Sequence, residues 1–534
     1  TQHTAHSVQA SSPLNAANMT TLSTMRGMAE DYFTKLIEIF GDDNWKYVTD
    51  NKWSIAAGTV VIYAAYRYLT RPKNLPPGPR GVPIFGALLD ISSDLHLDCI
   101  RFGKQYKSDI VSFYMGKQLV VMLNSADAVK QCFVRSDEFN FRDPTTLDVF
   151  GLNEQFFSGQ YTQEWSKLKS STISSLKTHG FGTSRSEENM KEQLNALLGC
   201  LDTLEGNTID SEELKNLFAK AGACVIMKIL VNHTYDFDDP ELDELVKRVN
   251  HFIGQFFENL FLILFGNNTL PAFIMWFVRI PFVRRAMASV EACREIIYPF
   301  IEEHKNSLDL DNSRDFLDDL LIRQAKGLGM MTDLQIIDSF VIVAPDAIDT
   351  KSTLDCWVLF YVCWHPEVQD EMVKEIRKVC GDNPPAMKDR NSLAYCEAVI
   401  LESLRLSSVV PSTIAHVNAE DTKLNGYFIP KDTQVMANLY AVHYDERIFP
   451  EPTKFKPSRF ISNGKFANFE NVMPFGIGRR KCMGEPLVKS EIFFFITSIV
   501  QKFELSFVEK PPSIETDNIY RKCPASKMKF LPRY

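Results

Sequence analysis

A cysteine in a glycine-rich, basic loop is the strongest candidate for chemistry in this sequence. Cys482 lies in the segment PFGIGRRKCMG, residues 474–484, directly after Arg479, Arg480 and Lys481. Neighbouring cations lower the pKa of a thiol. The long apolar stretch that follows predicts a helix, whose N-terminus also favours an anion. The loop is therefore predicted to hold a thiolate.

The same loop carries a resemblance to a known family. Its residues fit the pattern F-x-x-G-x-R-x-C-x-G, which is the haem-ligand signature of the cytochrome P-450 family. The matching positions are Phe475, Gly478, Arg480, Cys482 and Gly484. The resemblance implies that haem b is the cofactor, that Cys482 is the axial ligand of its iron, and that Arg480 binds a haem propionate. The competing interpretation is a basic surface loop with an incidental cysteine.

Two further segments resemble the propionate-binding positions of the family. The segment EWSKLK is similar to W-x-x-x-R, with Trp165 present and Lys169 in place of the arginine. Lysine keeps the positive charge but loses the bidentate geometry of a guanidinium. The segment IAHVNAEDT has His416 where the family often has a propionate-binding residue. The resemblance implies that these three residues hold the propionates together with Arg480.

A third resemblance is structural in nature. Glu402 and Arg405 are three residues apart in EAVILESLRL, so they share one helix face and can pair. The segment FKPSRF then supplies Arg459. The resemblance implies a Glu–Arg–Arg network that holds the fold near the haem. The resemblance to the family as a whole extends from about residue 75 to the end of the chain. It is closest to the animal microsomal branch that acts on xenobiotics, steroids or fatty acids.

The central helix departs from the family pattern. Alignment on the segment HPEV makes Asp349 and Thr350 the acid and the alcohol that are implied to route protons to bound dioxygen. However, Asp346 stands where a small residue is usual, and Lys351 stands where threonine or serine is usual. Pro345 lacks an N–H and is predicted to break the helical ladder locally. The alternative interpretation is an ordinary polar helix face.

Composition and pattern predict the fold class. The chain has 534 residues, of which 45% are hydrophobic, so it can bury a large core. Strand-like runs at 110–124 and 422–439 flank a mostly helical stretch from about 126 to 380. These features predict a mainly α fold with a minor β part in a single large domain. Eleven dispersed cysteines without zinc spacing indicate a reducing compartment, and the net charge of −9 gives no indication of a nucleic-acid partner.

The N-terminal region predicts attachment to a membrane. The apolar run WSIAAGTVVIYAAYRYL would rise about 26 Å as a helix, and basic residues follow it, so the large domain is expected to face the cytoplasm. A buried core helix is the alternative. The predicted divisions are a partly disordered extension with an amphipathic helix (1–52), a transmembrane anchor (53–70), a proline-rich hinge (71–86) and a haem-thiolate catalytic domain (87–534).

These expectations combine into one function. We expect a monooxygenase of the endoplasmic reticulum membrane that inserts one oxygen atom from O2 into a lipophilic substrate. No dinucleotide motif follows a strand, so electrons are expected from a separate NADPH-cytochrome reductase, with cytochrome b5 as a further candidate partner. Two alternatives stay open: a haem-thiolate isomerase or dehydratase acting on a lipid peroxide, and a non-catalytic haem-binding protein.

Overall fold

Helices dominate this computed structural model, as the sequence pattern predicts. The structure describes residues 58, 66 and 68–534, except for 143–151, 153–158, 259–271, 329–331, 511–513, 515–519 and 534. The α-helices in this part of the chain are α1 Leu95–Tyr106, α2 Ala126–Phe133, α3 Gln163–Thr178, α4 Glu187–Asp202, α5 Ser211–Val231, α6 Pro240–Glu258, α7 Ala272–Asn306, α8 Phe316–Ala325, α9 Asp333–Pro345, α10 Lys351–Trp364, α11 Pro366–Cys380, α12 Ala394–Ser407, α13 Leu439–His443 and α14 Glu485–Lys502.

Short strands form the minor β part. They are β1 Ile110–Met115, β2 Gln118–Leu123, β3 Thr208–Asp210, β4 His416–Val417, β5 Thr422–Leu424, β6 Tyr427–Ile429, β7 Gln434–Ala437, β8 Ile461–Ser462, β9 Lys465–Phe466, β10 Phe503–Phe507 and β11 Lys527–Pro532. A four-stranded sheet has the order β1-β2-β7-β4, in which β2 and β7 are parallel. The antiparallel pair predicted at 110–124 and the strands predicted at 422–439 are confirmed.

The central helix is interrupted where the sequence predicts. Helix α9 starts with a capping box between Thr332 and Gln335 and ends at Pro345. A single π turn, Asp346–Thr350, then connects it to α10. Single π turns of this kind are rare and occur inside α-helices, frequently at functional sites, and a proline removes one ladder donor. The break predicted at Pro345 therefore takes the form of a π turn within a continuous helical path.

The helices around the predicted haem loop share one core. Residues Lys351–Cys363 of α10 are all buried, so this helix lies inside the protein on every side. It packs against α5, α12 and α14. Helix α14, predicted from the apolar run after Cys482, is confirmed and buries most of its length. The loop therefore leads directly into the core.

Two compact units divide the chain, Thr1–Arg71 and Pro72–Tyr534. The predicted extension at 1–52 lies outside the described residues. So does the predicted anchor at 53–70, apart from residues 58, 66 and 68–70. Within the part of the chain that the structure describes, no helix combines the length and apolarity needed to cross a bilayer.

Candidate functional site

The loop that carries Cys482 is shaped by close backbone contacts. The Cys482 N–H donates to the carbonyl oxygen of Phe475 at 2.9 Å, which closes the loop on itself. Gly478 has a φ of +80°, and a Cβ there would lie 1.9 Å from the carbonyl oxygen of Phe133 in α2. Only glycine allows both that conformation and that approach. The loop therefore depends on the residue type that the signature requires.

Cys482 is exposed as a whole residue, whereas its sulfur is desolvated by surrounding protein and receives hydrogen bonds. It is the one exposed cysteine among eleven, and the other ten are buried or partly buried. Its Sγ accepts from the backbone N–H groups of Gly484 and Glu485 at the start of α14. A Cβ on Gly484 would lie 3.6 Å from Sγ. Two amide donors at a helix N-terminus stabilise negative charge on the sulfur.

The predicted role of the adjacent cations is wrong. Burial raises the pKa of Cys482 to about 11, and the Asp346 carboxylate adds to the rise. Arg479 and Lys481 form ion pairs with acidic side chains instead, and Arg480 turns toward an aromatic ring. The thiolate therefore relies on backbone donors and on metal coordination, which deprotonates a bound thiol outright.

Arg480 and Lys169 both lie close to the ring of Trp165. The guanidinium carbon of Arg480 lies 3.8 Å from the ring centroid and the Lys169 Nζ lies 5.3 Å from it. Arg480 also donates to the carbonyl oxygens of Asn140 at 2.8 Å and Gly159 at 2.6 Å. The structure thus brings together three of the four predicted propionate-binding residues.

A third cation, Arg142, joins this cluster and was missed in the sequence. It donates to the carbonyl oxygens of Ile414 and Ala415, both at 2.8 Å. Nothing in its local sequence marks it, because its position depends on a strand connection more than 270 residues away.

The cation cluster fits a cofactor with two carboxylates. Burial lowers the pKa of Arg142 to about 9, of Arg480 to about 10 and of Lys169 to about 8. The positive charge of Arg480 lowers the pKa values of Arg142 and Lys169 further by repulsion. No aspartate or glutamate of the described chain is among the charges acting on these pKa values. A group of three partly buried cations is suited to an organic dianion, and haem carries two propionates.

His416 lies at the edge of the same cluster as a neutral ring. Burial, with Arg142 as the next cause, lowers its pKa well below the usual range. Its ring stacks on Phe133 at 4.0 Å, and its Nδ1 donates to the Phe139 carbonyl oxygen at 2.7 Å. Nε2 of the neutral ring is then an acceptor. A contact with a propionate therefore requires protonation, which the negative charge of the propionate would favour.

The predicted structural network has the geometry that its role requires. Arg405 donates to both oxygens of Glu402, at 2.7 and 2.8 Å, and the Arg459 Nε donates to Oε1 at 3.0 Å. Arg405 also donates to the carbonyl oxygen of His443 at 2.6 Å. The His443 Nε2 accepts from the Met473 N–H at 3.0 Å, one residue before the haem loop. His443 is a connecting residue that the sequence analysis missed.

Asp349 and Thr350 are connected through a residue from the far end of the chain. The Asp349 carboxylate pairs with the Lys215 Nζ at 2.6 Å and accepts from the Tyr520 hydroxyl at 2.6 Å. The Tyr520 hydroxyl also hydrogen-bonds the Thr353 hydroxyl at 3.0 Å, and a weaker contact with the Thr350 hydroxyl acts to lower the pKa of Tyr520. Lys215 and Tyr520 are 134 and 171 residues away from Asp349, and no local motif announces either of them.

The unusual Lys351 points into the core, away from this group. Its Nζ lies 2.9 Å from Asp355 and 3.1 Å from Glu491 of α14, and all three side chains are at most 3% exposed. The Nζ also lies 4.1 Å from the ring centroid of Phe495. Lys351, which replaces the threonine or serine usual at this position, thus belongs to a buried ion triad. The triad connects the central helix to α14, the helix that follows Cys482.

Comparisons with known proteins agree with this geometry. The sequence model of the family described as Cytochrome P450 matches residues 76–530. Rat cytochrome P450 2C11 is 30% identical over 473 residues, which cover 86% of this chain and 92% of the relative. Rat cytochrome P450 2C7 is 28% identical, with 86% and 94% covered. Human cytochrome P450 2C8 is 28% identical, with 89% and 97% covered.

Proposed function

Because this chain belongs to the cytochrome P450 family of haem-thiolate monooxygenases, we propose that Cys482 is the axial ligand of its haem iron. When bound, the haem supplies the oxygen-activating chemistry, by which one oxygen atom is inserted into a lipophilic substrate. The carrying observation is the Cys482 sulfur, which accepts two backbone hydrogen bonds at the start of α14. Phe475 and Gly478 shape the loop around it.

The propionates are assigned to the cation cluster. In this proposal Arg480, Lys169 and Arg142 supply positive charge, Trp165 supports two of them with its ring face, and His416 donates from Nε2 once protonated. The support is the mutual repulsion of buried cations, which a dianion relieves. Lys169 acts as a point charge because it lacks the planar fork of the usual arginine.

Asp349 and Thr350 are assigned to proton delivery, with Tyr520 between them. The Lys215 side chain is 15% exposed and the Asp349 side chain 3% exposed, so Lys215 forms the solvent end of the series. The Tyr520 hydroxyl can donate to Asp349 Oδ2 while it accepts from Thr350. A peroxide isomerase or dehydratase would have no use for an acid connected to an alcohol, so this connection favours the monooxygenase.

The proposal includes the endoplasmic reticulum membrane as the location, with the catalytic domain, 87–534, on the cytoplasmic side. Residues 53–70 serve as the anchor after the extension at 1–52, and 71–86 as the hinge. An exposed apolar group at the C-terminal end of the hinge and just after it supports contact with lipid, because clusters of this kind mark interaction surfaces. The group comprises Val82, Ile84, Phe85 and Leu89.

The electron donor is a separate reductase, for which we propose the NADPH-cytochrome reductase, with cytochrome b5 as a second donor. Arg479 and Lys481 expose about half of their side chains next to the Cys482 loop. Their charges are partly matched by Asp137 and Glu485, so a partner would compete with these internal ion pairs. Rim charges of this kind mainly set the association rate.

The first test is the absorption spectrum of the dithionite-reduced, carbon-monoxide-bound full chain in detergent. A strongly red-shifted Soret band is expected, and Cys482→Ser should abolish it, whereas Cys380→Ser, at a partly buried cysteine elsewhere, should leave it unchanged. Absence of haem, or an unshifted band in the wild type, would contradict the assignment. Haem without NADPH consumption on any substrate would favour a non-catalytic haem protein.

The second test addresses proton delivery. Thr350→Ala should leave the carbon-monoxide spectrum intact but divert electrons from product to hydrogen peroxide, because the hydroxyl that hydrogen-bonds Tyr520 is gone. The measurement is the ratio of hydrogen peroxide released to NADPH consumed. An unchanged ratio would remove Thr350 from this role.

A further inference from the structure

Two stacked aromatic rings connect helix α6 to the residue between Asp349 and Thr350. Phe257, in the last turn of α6, stacks on the ring of Tyr520, with the ring centroids 4.2 Å apart and the ring planes 13° apart. Phe256, the preceding residue, meets the ring of Phe257 edge-on, at 5.2 Å and 88°. A stacked pair of this kind restricts the orientation of both rings. One face of the Tyr520 ring is therefore held by α6.

The main chain beside Tyr520 is anchored independently of α6. The carbonyl oxygen of Arg521 accepts from the Trp357 Nε1 of α10 at 2.9 Å. The Arg521 guanidinium donates to the carbonyl oxygens of Leu406 and Ser407, at 3.0 and 2.6 Å, at the end of α12. These bonds fix the backbone, but they leave the torsion angles of the Tyr520 side chain to its own contacts.

The Tyr520 hydroxyl lies at the end of the ring farthest from that backbone anchor. It donates to Asp349 Oδ2 at 2.6 Å and lies 3.0 Å from the hydroxyl oxygen of Thr353. A hydrogen bond between two oxygens is strong only within a narrow range of distance and angle. A tilt of the ring displaces its far end most, so the contact between the hydroxyl and Asp349 depends on what holds the ring.

Helix α6 also packs directly against the part of the central helix that carries Asp349. It contacts the π turn Asp346–Thr350. Phe257 packs in addition against two hydrophobic clusters, one containing α10 and the other containing side chains of β1 and β2. The ring of Phe257 therefore lies where α6, the central helix and the four-stranded sheet meet. A displacement of α6 would move the ring that supports Tyr520.

We propose that Phe257 is a positioning residue for proton delivery, because its ring holds the Tyr520 hydroxyl in place against Asp349. The inference rests on the proposed function and adds a residue to the relay assigned there. It makes the fate of the electrons dependent on the placement of α6. When α6 is in place, protons pass through Tyr520, and when the stack is lost, the relay is interrupted although all of its polar groups are still present.

The test follows the reduction of O2 by the haem-loaded full chain in detergent, with the reductase and NADPH and without added substrate. Two electrons and two protons convert O2 to hydrogen peroxide, whereas four of each convert it to two water molecules. The measured quantity is the ratio of hydrogen peroxide to water, obtained from the peroxide released and the NADPH and O2 consumed. Because no substrate is present, a contact between Phe257 and substrate cannot change this ratio.

Phe257→Leu removes the ring but keeps an apolar side chain. It should raise the ratio of peroxide to water about two- to tenfold, the change in equilibrium expected from the loss of one aromatic pair. Phe257→Tyr keeps a ring and should stay close to the wild type. Phe256→Leu, in the same turn of α6, is the matched control and should change the ratio less than Phe257→Leu. The carbon-monoxide spectrum should be the same in all variants.

A second measurement reports the ring of Tyr520 directly. With 3-fluorotyrosine incorporated at position 520, the fluorine resonance of the reduced, carbon-monoxide-bound protein should shift in Phe257→Leu, because the ring current of the stacked phenyl group is lost. It should stay near its original position in Phe257→Tyr. An unchanged resonance in Phe257→Leu would overturn the inference.

The double variant separates this inference from the proposed function. Tyr520→Phe removes the hydroxyl, so adding Phe257→Leu to it should raise the ratio of peroxide to water no further. A further rise, an unchanged ratio in Phe257→Leu alone, or an equal rise in Phe256→Leu would each overturn the role of Phe257. If Tyr520→Phe by itself leaves the ratio unchanged, the relay proposed above is wrong, and the positioning role falls with it.

Discussion

The haem loop and the central helix both contribute residues to the proposed site but are built in different ways. The loop is held by backbone contacts, such as the close approach of Gly478 to Phe133 and the amide donors to the Cys482 sulfur. The central helix is held by side chains that reach distant segments, such as Lys351 to Glu491 and Asp349 to Tyr520. The loop keeps the family signature at every position, whereas the helix departs from it at several.

This difference shows where substitution is tolerated. A Cβ at Gly478 would lie 1.9 Å from the Phe133 carbonyl oxygen, which cannot move alone, so no other residue fits there. A side chain in an ion pair can be replaced when its partner side chain changes as well. The unusual Lys351 is therefore accompanied by Asp355 and Glu491, which together match and exceed its charge.

The largest effect is expected from Gly478→Ala. The new Cβ would meet the Phe133 carbonyl oxygen, and the φ of +80° is itself unfavourable for alanine by about 1–2 kcal/mol. Most of the protein should lose the red-shifted carbon-monoxide band. Gly464→Ala is the matched control, since Gly464 has a φ of +70° with nothing within 4 Å. If both variants behave alike, backbone conformation rather than close approach explains the glycine.

The next effect is expected from Lys351→Met on the helix side. Removing the only cation of the triad leaves two buried carboxylates, which should lower the free energy of unfolding by about 3–5 kcal/mol. Urea unfolding followed by haem absorbance measures it. The triple variant Lys351→Met, Asp355→Asn, Glu491→Gln should recover most of the loss. A single variant as stable as the wild type would show that the triad does not stabilise the fold.

A smaller effect is expected from Tyr520→Phe, which removes one hydroxyl between Asp349 and Thr350. Product formation should fall about 100-fold, at the low end of what a positioned proton donor contributes. NADPH consumption should continue with release of hydrogen peroxide. Tyr444→Phe serves as the control, because its hydroxyl donates to the Leu406 carbonyl oxygen at 2.8 Å and has no part in the relay. Equal coupling in both variants would argue against Tyr520.

The smallest effect is expected in how the stability of the protein depends on pH. It should differ between a residue that contacts the central helix and one beside the haem loop. Burial raises the pKa of Glu491 to about 7, so the folded state keeps a proton that the unfolded state releases. The stability of the wild type should therefore fall as pH rises from about 4.5 to about 7, and Glu491→Gln should reduce this fall. The measurement is urea unfolding at several pH values across this window.

Glu485, beside the haem loop, should show the opposite sign. Ion pairs with Lys481 and Lys489 hold its pKa below the usual range despite burial. Its contribution to stability is present above the ordinary glutamate pKa and is lost as pH falls through the folded value. Glu485→Gln should therefore flatten the acid side of the stability profile. The same pH response in both variants would contradict the distinction between loop and helix.

Local patterns were sufficient for much of the fold. The short strands predicted at 110–124 and the apolar helix predicted after Cys482 are confirmed, since each follows from a short run of residue types. The effect of the basic residues on the thiol was predicted wrongly, because adjacency in sequence does not set side-chain direction. Arg479 and Lys481 turn to acids, and burial governs the sulfur.

The sequence by itself determined the family, the cysteine loop and the mainly helical architecture, because those depend on residue types at fixed short spacings. Only the tertiary structure decided which side chains meet across long separations. It brought Arg142 to Arg480, Tyr520 to Asp349 and Lys351 to Glu491. Charges and hydroxyls act through space, so their partners follow from packing and not from their neighbours in the chain.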